Sequence, residues 1–123
     1  MFELKIVAFF AAAHQLKMVS KKCENLHGHN WKIEACVAGE NLNHAGVLMD
    51  FGDLKKHLSK IIAKLDHKFL NELDFFHNGN PSSENIARHI AQELQIAIKD
   101  PTIKVSRVSA WESENSCATY IAP

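Results

Sequence analysis

The chain has 123 residues, 46% of them apolar, and its 14 Lys+Arg exactly offset 14 Asp+Glu, for a formal net charge of zero. That length suits one domain around one core, over residues 1–123. The charge balance leaves no field to gather nucleic acid or an anionic membrane, so any phosphate recognition must be local. No apolar run approaches the ~18 residues of a membrane span. The three cysteines, Cys23, Cys36 and Cys117, are odd in number and widely spaced, which gives no disulfide framework and points to a reducing cytoplasm.

From Phe2 to Ala12 the even positions are all apolar while Glu3 and Lys5 sit on the odd side. That period of two predicts a strand. If the strand persists, His14 shares the apolar face; a bulge or turn before it is the alternative. Residues 15–22 lack periodicity and read as a loop leading to Cys23. A second strand is predicted from His29 to Ala38, with Trp31, Ile33, Ala35 and Val37 alternating against Lys32, Glu34 and Cys36, and Gly39 ending it.

Phe51, Leu54, Leu58, Ile61, Ile62 and Leu65 form one helical stripe behind Asp50 as N-cap. Ile86, Ala87, Ile90, Ala91, Leu94, Ala97 and Ile98 form a second, with Pro81-Ser82-Ser83 before it as cap and Asp100-Pro101 closing it. Two further strands, Ile103 to Trp111 and Cys117 to Ile121, are joined by the polar segment 112–116. The order strand, strand, helix, helix, strand, strand predicts an α+β domain, a four-stranded antiparallel sheet with both helices on one face. The unpaired edges of so short a sheet predict association between copies.

Chemistry concentrates in Cys23-Glu24-Asn25-Leu26-His27-Gly28-His29, which holds a thiol and two imidazoles within seven residues. In an extended segment i and i+2 project to one face, so His27 and His29 can converge on one ion. His14 could complete a three-nitrogen set, the form of a catalytic zinc site with its fourth position open. Cys23 has two readings: a thiolate favoured by the nearby cation, or a fourth ligand closing a structural site. Asp66-His67 offers an imidazole oriented by an acid, as an activated-nucleophile arrangement needs, or else a helix C-terminal cap. Glu112, at the junction of strand and hairpin loop, is either an anchor for a donor-rich heterocycle or an exposed hairpin charge. Glu84 most simply stabilises the first turn of a helix. His44, His57, His77 and His89 lack ligand-like spacing.

Phe10-Ala11-Ala12-Ala13-His14, Cys23 through Asn30, Met49-Asp50-Phe51, Leu65-Asp66-His67, Pro81-Ser82-Ser83-Glu84-Asn85 and Glu112 occur in an order that resembles the 6-pyruvoyltetrahydropterin synthase family over essentially the whole chain. The resemblance implies a tunnelling fold, in which three subunits close a barrel and two trimers stack into a homohexamer with active sites at subunit interfaces. It implies Zn2+ on His14, His27 and His29, Cys23 as general base, and Asp66 with His67 in the proton relay. Glu112 matches the pterin-anchoring glutamate, and Ser82-Ser83-Glu84 the pterin-pocket segment. Three residues between Cys23 and His27 resemble the bacterial 6-carboxytetrahydropterin synthases of queuosine biosynthesis. The expected substrate is then 7,8-dihydroneopterin triphosphate, and the expected reaction a zinc-dependent lyase step; the pyruvoyl-forming reaction and a non-catalytic pterin- or zinc-binding module are the alternatives.

Overall fold

Strand β1 spans Phe2–His14 and buries Ile6, Phe10, Ala12 and His14 on one face. The alternation therefore runs unbroken past Ala12, and His14 lies on the apolar face with no bulge before it. Strand β2, His27–Gly39, pairs antiparallel with β1 in one register from Phe2↔Gly39 to His14↔His27. Gly39 ends β2 because the chain closes in there: a Cβ would lie 2.6 Å from Leu48 Cδ1. The computed structural model describes residues 1–16, 26–76 and 79–123, with His27 described in its backbone alone.

Helix α1, Phe51–Ala63, starts where Asp50 Oδ1 accepts the Gly52 amide at 2.6 Å, satisfying one of the free donors of the first turn. Helix α2, Ser83–Ala97, starts where Ser82 Oγ accepts the Asn85 amide at 3.1 Å. The stripes face inward as their spacing predicts except at Phe51, which is 52% exposed at the start of α1; Leu54, Leu58, Ile61 and Ile62 from α1 and Ile86, Ile90 and Leu94 from α2 are buried. They close one core over Phe10, Trp31, Ile33, Val37 and Val108. Each such side chain, fully buried, contributes about 1.5–3 kcal/mol.

Among the described residues the sheet has five strands where four are expected. Strand β3, Lys68–Phe69, runs parallel to the end of β1; β4, Lys104–Ser113, and β5, Ser116–Ile121, complete the order β3-β1-β2-β4-β5. Two residues are too few to show a period. β3 exists because the backbone beyond α1 is pinned to β1: the His67 amide donates to Ala11 O at 2.6 Å. Short 3-10 turns at Leu70–Glu72 and Asp74–Phe76 lead on toward α2. The sheet face away from the helices is open, with Phe9 69% exposed. Among the described residues no helix is long and apolar enough to cross a membrane.

Candidate metal centre and acid–base pair

At the end of the core face, where β1 and β2 pair, His29 stands opposite Ala12 and His14 opposite His27. The His14 and His29 rings meet edge to face with centroids 5.1 Å apart, and both rest edge-on against the fully buried Trp31. His14 is itself 0% exposed. Its Nδ1 lies 2.9 Å from Pro81 O. A carbonyl only accepts, so Nδ1 carries a proton, and Nε2 is the ring nitrogen turned toward His29 and Glu112. This is the orientation that metal-ligating histidines ordinarily have, one nitrogen tied to a carbonyl and the other left to the ion.

Glu112 Oε1 lies 2.8 Å from His29 Nε2 and 3.4 Å from His14 Nε2. One ligand atom from each of His14, His29 and Glu112 falls within 4.8 Å of the others. Two imidazole nitrogens and a carboxylate oxygen are donors that suit Zn2+ by type. The chemistry of the residues present therefore fits a metal.

The extent of β4 corrects the expected connecting segment 112–116, at whose junction with the strand Glu112 is expected. Glu112 lies within β4, and Ser113 pairs with Ser116, so the loop is only Glu114-Asn115. Pairing with β5 shifts between Trp111 and Ser113, which makes Glu112 part of a bulge, a device that re-aims a side chain beside a site. Trp111 faces the other way, its Nε1 donating to Glu34 Oε1 at 2.5 Å. The second Glu112 oxygen accepts from Ser83 Oγ at 3.5 Å, which brings the first turn of α2 to the same carboxylate. Ser82 is the cap of α2, and Glu84 is exposed in its first turn.

Asp66 and His67 form a second station. Asp66 Oδ2 lies 3.0 Å from His67 Nδ1, and Oδ1 accepts the Ala11 amide at 2.9 Å. The Ala11 amide foremost, and the His67 ring after it, hold the Asp66 carboxyl below the ordinary carboxylate range. His67 takes φ +58°, a left-handed conformation uncommon outside glycine. Its ring is 81% exposed, so it presents Nε2 outward. A depression of about 500 Å³ has His29 on one wall and His67 on another, over Ala11, Ala12 and Ala13.

Cys23 lies outside the described residues, and His27 is placed by its backbone opposite His14. Two participants escape sequence reasoning, the Pro81 carbonyl and the Ala11 amide, because they are backbone groups with no side-chain signature.

The fold and the cluster define a class: an α+β domain with imidazole and carboxylate donors gathered at one end of an antiparallel sheet, beside a separate acid–imidazole pair. The 6-pyruvoyl tetrahydropterin synthase family model matches residues 3–123. The chain belongs to that family of enzymes. It is 36% identical over 119 residues, 93% of this chain and 88% of the other, to the 6-carboxy-5,6,7,8-tetrahydropterin synthase of Synechocystis sp.. It is 37% identical over 105 residues, 85% of this chain and 84% of the other, to the dihydroneopterin monophosphate aldolase of Pyrococcus furiosus. The solved structure of Caenorhabditis elegans 6-pyruvoyl tetrahydropterin synthase superposes with a TM-score of 0.87 at 25% identity, over 99% of this chain and 96% of that one.

Proposed function

We propose that this chain is a zinc-dependent lyase that converts 7,8-dihydroneopterin triphosphate and water to 6-carboxy-5,6,7,8-tetrahydropterin, acetaldehyde and triphosphate. The observation that carries the reading is the His14–His29–Glu112 cluster, with His14 held by Pro81 O so that Nε2 faces its neighbours. His14, His27 and His29 would hold Zn2+, which would supply a Lewis acid for the oxygens of the substrate side chain. Glu112 accepts from the ring N–H and exocyclic amine of the pterin, with Ser82, Ser83 and Glu84 at the edge of that pocket. Cys23, as thiolate, moves protons along the side chain. His67, oriented by Asp66, exchanges protons through its outward Nε2; positioned groups of this kind contribute ~10² to 10⁴-fold.

A second reading of Glu112 is favoured by one distance. Its Oε1 is 2.8 Å from His29 Nε2, which suits a metal ligand as well as a pterin anchor.

The protein works in the cytoplasm as one domain over residues 1–123, assembled as a homohexamer of two trimers. The outward His67, the exposed Phe9 on the open sheet face and the position of β5 at the end of the sheet among the described residues support assembly. Sedimentation is expected to give a trimer or hexamer; an active monomer would overturn it.

The test of the reaction is incubation with dihydroneopterin triphosphate and identification of the fragment released. Acetaldehyde with triphosphate supports the carboxy-forming reaction. Triphosphate alone would assign the pyruvoyl-forming one, and an aldehyde still carrying phosphate would assign an aldol cleavage.

A further inference from the structure

We propose that Asn85 is a positioning residue for the metal centre, acting on the His14 ring through the backbone of Asn80, Pro81 and Ser82. The inference rests on the metal reading above. Asn85 contacts both neighbours of Pro81, the backbone of Asn80 and the side chain of Ser82. Its Nδ2 donates to Asn80 O at 2.7 Å, and its amide donates to Ser82 Oγ at 3.1 Å. Its Oδ1 accepts from Arg88 Nη2 at 2.5 Å, which fixes the amide plane with the nitrogen toward Asn80.

Between these two anchors Pro81 has little freedom. Its ring sets φ, and its residue is buried. With Asn80 O and Ser82 Oγ both tethered, the Pro81 carbonyl between them is restrained, and that carbonyl is the acceptor for His14 Nδ1. Turning it away would release the ring to its other tautomer, in which Nε2 carries the proton and faces the cluster as a donor unable to ligate.

Capping alone does not account for Asn85. Ser82 performs the cap through the Asn85 main chain, whereas Asn80 O lies outside the helix and asks nothing of it. The side chain thus serves the segment that orients His14.

The experiment uses Asn85→Asp, which replaces the Nδ2 donor by an oxygen facing Asn80 O while keeping the amide to Ser82 and an acceptor for Arg88. The ring-nitrogen ¹⁵N shifts of His14 are read in metal-free protein, and zinc affinity is read by competition with a chelator. Wild type is expected to hold His14 as the Nδ1–H tautomer. Asn85→Asp is expected to show a mixture and to bind zinc about 10-fold more weakly, the lower end of the cost of losing support behind a ligand. Ile96→Gly, at an exposed position of α2, is the control: it lowers Tm through the helix but leaves both readouts unchanged. Unchanged tautomer and affinity in Asn85→Asp, or equal changes in Ile96→Gly, would overturn the proposal. If the wild type binds no zinc, the metal reading fails, and the tautomer comparison still decides the role of Asn85.

Discussion

The Ala11 amide donates to Asp66 Oδ1 at 2.9 Å across 55 residues of sequence, and Ala11 lies three positions before His14 on the same strand. The acid of the proposed relay is therefore fastened to the strand that carries His14, the buried member of the candidate metal cluster.

Asp66 is depressed in the folded chain, first by the Ala11 amide and then by His67, from an ordinary value near 3.8. A depressed carboxylate stabilises the fold above its unfolded value, and this is lost as pH falls through the lower native one. Asp66→Asn is expected to flatten that acid slope in Tm measured from pH 5 to pH 2. It should also lower kcat by roughly 10²-fold or more at neutral pH, since His67 loses the acceptor that orients it. An unchanged kcat would remove Asp66 from the relay.

Purified protein should carry about one zinc per chain. His14→Ala, His27→Ala and His29→Ala should each lose it by elemental analysis. His14→Ala should cost stability as well, because Pro81 O is left without its donor, about 1–3 kcal/mol. Stoichiometric metal retained by all three variants would sink the ligand set.

Cys23→Ala separates chemistry from binding. A base can be deleted without disturbing the ion, so zinc content and substrate affinity should hold while turnover disappears. Loss of zinc in this variant would instead make the thiol a fourth ligand of a closed site.

Glu112→Gln decides between anchor and ligand. A carboxylate that accepts two hydrogen bonds from the pterin edge cannot be replaced by an amide that presents a donor there, so kcat/KM should fall by roughly 10² or more, about 3 kcal/mol of transition-state binding. Zinc retained at full stoichiometry assigns the anchor. Zinc lost together with activity assigns the metal reading of the 2.8 Å contact to His29.

The sequence by itself determined what depends on near neighbours. The alternation from Phe2 onward, the stripes of α1 and α2 and the caps Asp50 and Ser82 are local patterns, because side-chain direction repeats every 2 or 3.6 residues and a cap reaches only the first turn. The order of six short motifs was likewise enough to suggest the family. Only the tertiary structure decided the rest. That His14 continues β1 depended on the register with His27; that Glu112 joins the histidines depended on a bulge between Trp111 and Ser113; that β3 exists depended on His67 and Ala11 meeting. The bonds that aim the site join residues 55 and 67 positions apart, and two of their partners are a main-chain amide and a main-chain carbonyl. Every residue but proline carries both groups, so no residue letter can mark the ones the fold will use.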